Sequence, residues 1–187
     1  MVTLAELRQE ALACTRCQLA EGRTQVVFGV GDPEAELMFV GEGPGREEDL
    51  QGEPFVGRSG KLLDTLMRQE VGVERAQVYI ANVVLCRPPG NRDPLPVEIA
   101  ACRPYLEQQV ELVSPTVVVT LGNFATRALL ETSEGIRRLR GKVYPFRGRH
   151  LVPTYHPAAA LRGGAEVVAE MRADFVRAKR LLATDGE

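Results

Sequence analysis

The sequence has no apolar run long enough to cross a bilayer. Its opening, MVTLAELRQEALA, lacks the basic start, apolar middle and small-residue cleavage site of a secretory leader. The expectation is a cytoplasmic protein with no membrane partner. Lysine is almost missing: Lys61, Lys142 and Lys179 are the only three. Nearly all positive charge is therefore arginine, whose planar fork suits phosphates and aromatic faces. A GC-rich coding sequence or a hot habitat would give the same bias. The net charge of -2 argues neither for nor against a nucleic-acid partner. Histidine is limited to His150 and His156. Cysteine is limited to Cys14, Cys17, Cys86 and Cys102. In a reducing compartment four thiols seldom mean two disulfides.

What is present is ordinary globular material, 44% apolar and 26% charged over 187 residues. That length suggests one domain, 1–187, with a core that needs no staples. LAELRQEALA reads as a short helix with Leu4, Leu7 and Leu12 on one face. ELMFV, QVYIANVV, PTVVVTLG and HLVPTYHP read as four strands. GRSGKLLDTLMRQEVGV, PVEIAACRPYLEQQVELV, NFATRALLE and a long C-terminal segment read as helices between and after them. Near-continuous apolar strands alternating with helices predict an α/β protein: three α/β/α layers around a central four-stranded parallel sheet. EEDLQGEPFVG and RGKVYPFRGR read as loops.

Three of the four groups of unusual residues gather at strand ends. Glu42, with Gly41, Gly43 and Gly45, follows the first strand. Asn82 interrupts the second, Gly122 and Asn123 follow the third, and His156 follows the fourth. In open α/β sheets the ligand crevice lies beyond the carboxyl ends of the strands. GEGPG lacks the lysine and hydroxyl residue of a P-loop, so it reads as a tight turn whose amides can approach a ligand. Phe55 stands in a Gly/Pro loop, either as a core anchor or as a platform for a flat ring. Cys14 and Cys17 form a C-x-x-C chelating pair, while Cys86 and Cys102 do not make a second one. Spacing alone leaves zinc and an iron–sulfur cluster both open. IRRLRGKVYPFRGRH carries Arg137, Arg138, Arg140 and Lys142 among aromatics and no acid. It reads as a solvated hairpin or a phosphate-tracking strip.

GEGPG at 41–45, PFVGRSG at 54–60, NVVLCRPPGNRDP at 82–94 and TYHPAAALR at 154–162, led by CTRC at 14–17, together resemble the family 4 uracil-DNA glycosylases. The resemblance covers almost the whole chain. It implies an enzyme that flips uracil out of single- or double-stranded DNA and hydrolyses its N-glycosidic bond in base excision repair. It implies a [4Fe–4S] cluster on Cys14, Cys17, Cys86 and Cys102, and a monomer. Phe55 would stack on the base, and the Asn82 amide would pair with uracil N3–H and O4. His156 would donate to O2, assisted by the Gly41 to Gly43 amides. Glu42 stands where family 1 enzymes carry a water-positioning aspartate, or it fills the space beside C5. Arg137, Arg138, Arg140 and Lys142 would hold DNA. A related branch traps its substrate through a histidine in the basic loop; GIRRLRG has none, which predicts turnover. Two rivals are an iron–sulfur redox protein with a phosphate in GEGPG, and a silent uracil-DNA binder.

Overall fold

The computed structural model describes residues 1–185. Among the described residues six strands form one sheet: β1 (Val30–Gly31), β2 (Leu37–Gly41), β3 (Tyr79–Asn82), β4 (Val117–Leu121), β5 (Tyr144–Phe146) and β6 (Arg149–Thr154). Their order is β1-β3-β2-β4-β6-β5. The four central strands run parallel, as expected. The sheet is wider than the predicted four, because β1 and β5 add short antiparallel edges. Neither carries an apolar run, and β5 contains Pro145, a residue that ladders tolerate at an edge. The second predicted strand is shorter than read: β3 ends at Asn82. Val83 and Val84 still donate to the carbonyls of Gly41 and Glu42 at 2.9 and 3.1 Å, so the chain follows the turn after β2.

The helices are α1 (Leu4–Leu12), α2 (Leu19–Gly22), α3 (Arg46–Gln51), α4 (Arg58–Leu66), α5 (Pro96–Val113), α6 (Asn123–Leu130), α7 (Ile136–Leu139), α8 (Pro157–Gly163) and α9 (Ala165–Thr184). Part of the segment read as loop at 47–57 is thus helical; its acidic start suits a helix N-terminus. In α1 the buried pair is Leu7 and Ala11, one turn apart, and Leu12 points outward.

Strand residues alternate between two cores. Met38, Val40, Tyr79, Ala81 and Val118 pack with α1, α5 and α6, while Leu37, Phe39, Ile80 and Val119 pack with α4, α8 and α9. Both sheet faces are covered, which gives the predicted three layers. Register sets the site. Gly41 lies beside Asn82, Val40 beside Thr120, and Leu121 beside Thr154. The carboxyl ends of all four parallel strands therefore form one row.

Candidate active site

A cavity of about 590 Å³ opens along that row. Its walls include Glu42, Gly43, Phe55, Asn82 and His156, contributed by separate segments of the chain. Gly41 stands directly behind: a Cβ there would meet the Phe55 ring at 2.5 Å and Asn82 Oδ1 at 2.6 Å. Glycine at 41 is thus required by close approach, and the amide and the ring share one corner.

Asn82 is the last residue of its strand, not an interruption of it. It is 2% exposed, and its Oδ1 is one of two buried side-chain polar atoms among the described residues without a hydrogen-bond partner. Burying an amide oxygen unpaired costs about 1–3 kcal/mol. An oxygen left bare on a cavity wall is free to accept from a donor that enters the cavity.

His156 is the N-cap of α8, with Pro157 at the first helical position. Its Nδ1 accepts from the Ala158 amide at 3.1 Å. The ring proton of the neutral tautomer therefore sits on Nε2. Burial, and then the Arg162 guanidinium, hold the pKa down at about 4; the Glu48 carboxylate opposes them. The imidazole is neutral at pH 7 and offers an N–H donor. A Cβ on Gly122, whose φ is +93°, would meet His156 Cβ at 3.0 Å, so Gly122 lets the histidine segment approach. Asn123 serves the frame, since its Oδ1 accepts from the Ile136 amide at 2.8 Å and starts α7. His150, at the far end of β6, pairs with Asp185 at 3.3 Å.

Phe55 adopts a φ of +53°, rare for a side chain of its size. It is buried, and its ring centroid lies 5.6 Å from that of His156. Glu42 is half-buried; burial, and then the Asp93 carboxylate, raise its pKa. Asn91, Arg92 and Asp93 reach the same cavity from a one-turn helix at Pro89–Asn91 and the residues after it. The sequence alone assigns these three no role, although they lie within NVVLCRPPGNRDP. Glu98, on the first turn of α5, holds that wall by accepting twice from Arg92, at 2.8 and 2.9 Å, and once from the Leu95 amide at 2.8 Å. Glu48 is likewise silent in sequence: its carboxylate takes the Gly45 amide at 3.1 Å. A phosphate in the glycine turn would have to displace it, which weakens the redox-protein reading.

The cysteines form a separate place. All four are free thiols and line one narrow cleft on the α1 and α5 side of the sheet. No residue of that cleft borders the large cavity. Arg23 donates to the Cys14 carbonyl at 2.6 Å and approaches Cys86 Sγ at 3.6 Å. Burial raises the Cys86 thiol and pushes Cys102 up to about 12. Among the described residues no three such side chains close on a point that would hold a single ion. A mononuclear zinc needs four sulfurs at about 2.3 Å from one centre. A cluster, with its ligands on separate irons, needs them spread around a volume. The four thiols around one cleft supply the sulfur donors that a cluster takes.

The basic strip divides. Arg137, Arg138 and Lys142 are exposed, and the first two directly follow Ile136, which borders the cavity. Arg140 turns inward, to the buried Asp174 at 2.9 Å and to Glu170 at 2.8 Å. Arg147 and Arg149 pair with Glu107 and Glu111 on α5.

A family model described as the uracil DNA glycosylase superfamily matches residues 28–181. The chain belongs to that superfamily. It is 46% identical over 169 residues to a type-4 uracil-DNA glycosylase of Sulfurisphaera tokodaii, covering 86% of this chain and 77% of the relative. It is 43% identical over 176 residues to the type-4 enzyme of Thermotoga maritima, covering 92% and 91%. Identity to a type-5 enzyme of Thermus thermophilus is 33% over 180 residues, covering 83% and 80%. As a member of the uracil DNA glycosylase superfamily, the chain presents its cavity at the strand ends and its thiols elsewhere. Among the described residues no helix is long and apolar enough to cross a membrane.

Proposed function

We propose that this chain is a single-domain, monomeric uracil-DNA glycosylase of base excision repair, acting on uracil flipped out of DNA. The observation that carries the reading is the unpaired Asn82 Oδ1, set in one cavity with Phe55 and a neutral His156. Uracil N3–H would satisfy that oxygen, and the amide nitrogen would donate to O4. Cytosine presents an acceptor at N3 and a donor at position 4, so it would leave both ends mismatched. Each mismatch costs about 1–3 kcal/mol. Phe55 gives the base an apolar face.

Cleavage of the N-glycosidic bond leaves the pair of bonding electrons on uracil. The negative charge grows on O2, where His156 Nε2–H donates. A fixed donor aimed at developing charge needs no proton transfer and costs no reorganisation. The DNA phosphates balance the cationic sugar until water adds. Glu42, on the cavity wall with a raised pKa, is assigned to the space near C5 and to the attacking water. The Gly41 to Gly43 amides assist at the base. Arg137, Arg138 and Lys142 supply phosphate contacts; the inward pairing of Arg140 assigns it to the frame instead.

Cys14, Cys17, Cys86 and Cys102 would hold a [4Fe–4S] cluster, which supplies cross-linking and no step of the cleavage. Those residues join the end of α1, the segment after β3 and the middle of α5. A DNA repair role fits a cytoplasmic protein with no membrane partner.

The test is incubation of the purified protein with a uracil-containing oligonucleotide, followed by alkali. Strand cleavage at the uracil supports the reading. An intact strand, with the cluster loaded, rejects it.

A further inference from the structure

We infer that Glu48 is the positioning residue of the base-stacking platform, one carboxylate that ties the Phe55 loop to the glycine turn. Its consequence for catalysis rests on the glycosylase reading, while its geometry does not. Glu48 Oε2 accepts from the Gly45 amide at 3.1 Å. Oε1 accepts from the amides of Val56 and Gly57, both at 3.3 Å. Gly45 is the N-cap of α3 and Gly57 the N-cap of α4. One charge therefore closes two helix N-termini, each an end where unpaired N–H groups favour an anion. An ordinary capping glutamate would need only Gly45. The other two amides belong to the next loop, and they directly follow Phe55.

The other side of Phe55 is held as well. Arg75 donates to the carbonyl of Pro54 at 3.1 Å and to that of Phe55, and is itself fixed by Asp64 at 2.7 Å. Gly60 has no side chain to obstruct the Phe55 carbonyl. The backbone on both sides of Phe55 is thus bound to charge: carbonyls to Arg75, amides to Glu48. That pairing holds a phenylalanine at a φ of +53°, a region L side chains leave when free to do so. Release would let the backbone return to negative φ and carry the ring away from Gly41 and Asn82. Glutamine cannot replace the clasp, because its amide nitrogen faces an N–H wherever its oxygen accepts.

Two measurements test this in the full-length, cluster-loaded protein. The first is amide hydrogen exchange without DNA. Glu48→Gln should speed exchange at Val56 and Gly57 while Val118 and Val119 in the central sheet keep their protection; unchanged exchange at 56 and 57 overturns the inference. The second is a double-mutant cycle on a uracil oligonucleotide. Glu48→Gln should lower kcat/KM on the order of a hundredfold, the effect of a small misplacement in a tight site. In a Phe55→Ala background it should add no more than about twofold. Independent, additive losses would overturn the claim that Glu48 acts through Phe55. If Glu48→Gln does not fold, Glu48→Asp takes its place: the shorter carboxylate should free Val56 and Gly57 while keeping a charge, and full retention of both protection and rate would overturn the inference. If the unmodified protein leaves uracil in place, the glycosylase reading fails while the exchange result still decides the clasp.

Discussion

The rings of Phe55 and His156 stand 5.6 Å apart between centroids, tilted by 31°. A base inserted between two stacked faces needs about 7 Å, twice the contact distance of carbon atoms. The base therefore does not lie between these rings. On the proposed reading Phe55 would serve one face, and His156 would meet the edge, where a hydrogen bond from Nε2–H can point along the ring plane toward O2. That reading separates stacking from charge stabilisation at one corner of the cavity.

That division predicts how His156→Ala behaves. Loss of a pre-aligned donor to developing charge should lower kcat by roughly a hundredfold or more. KM should move much less, since Phe55 and Asn82 still hold the base. Single-turnover and steady-state rates on one oligonucleotide separate the two. A variant that raises KM alone would place His156 in ground-state binding.

The neutral state of His156 sets the pH dependence. Its folded pKa is lowered from 6.5 to about 4, chiefly by burial. An unfolded chain binds that proton near 6.5 and the folded one resists it, so this group's contribution to stability is full above 6.5 and is lost as pH falls toward 4. Protonation of Nδ1 would also remove the acceptor for the Ala158 amide. The rate should stay flat from about pH 8 to 5, with no inflection near 6.5. A Glu42→Gln background removes the raised carboxyl of the cavity from the profile. An inflection at the ordinary histidine pKa in that background would refute the neutral electrophile.

Asn82→Asp should weaken discrimination against cytosine. A protonated aspartate can donate to cytosine N3 and accept from its amino group. The ratio of uracil to cytosine excision should fall by at least about tenfold, the equivalent of one mismatched hydrogen bond. Paired oligonucleotides differing only in that base give the ratio. An unchanged ratio would remove Asn82 from base reading.

The sheet and this cavity were legible because their determinants are local. Apolar runs announced the four parallel strands, and the strand-end rule brought Gly41, Glu42, Gly122 and His156 together without any contact information, whereas Asn82, read inside its strand, joins them because β3 ends there. Edge strands were not legible. Val30–Gly31 and Tyr144–Phe146 owe their conformation to the neighbour they pair with, not to their own pattern. The end of β3 was obscured for a related reason: Val83 and Val84 are apolar because they face the core, although the ladder has already stopped. Glu48 and Arg75 were invisible because each acts on backbone groups of a distant loop. A charged side chain gives no sign in sequence that its partner is a peptide. Arg140 shows the converse, a cation in a basic run that belongs to the buried Asp174.

The basic strip makes a prediction about salt. Arg137 and Arg138 are exposed on α7 beside the cavity. If both contact phosphates, Arg137→Ala with Arg138→Ala should reduce the salt slope of DNA binding by about two. Arg147→Ala should leave the slope unchanged, since that guanidinium is already paired with Glu107 and Glu111. Binding titrations across a range of salt concentrations measure both. Equal slopes for the double variant and the native chain would move the DNA path elsewhere.

Cys102→Ala tests the separation of frame from site. Cys102 lies one helical turn after Glu98 on α5, and Glu98 anchors the wall that carries Asn91 and Asp93. If the proposed cluster is held there, removing the thiol should abolish its visible absorbance and cost about 2–5 kcal/mol, the range for a lost covalent cross-link. The cleft holds no residue of the large cavity, so the chemistry should survive wherever the fold does. At low temperature the expected result is therefore a higher KM, from a loosened wall at 88–94, with kcat on bound DNA changed by less than about threefold. Urea unfolding and single-turnover rates at saturating protein give the two numbers. A kcat that collapsed while the fold persisted would draw the proposed cluster into the reaction, although the cysteine cleft shares no residue with the cavity.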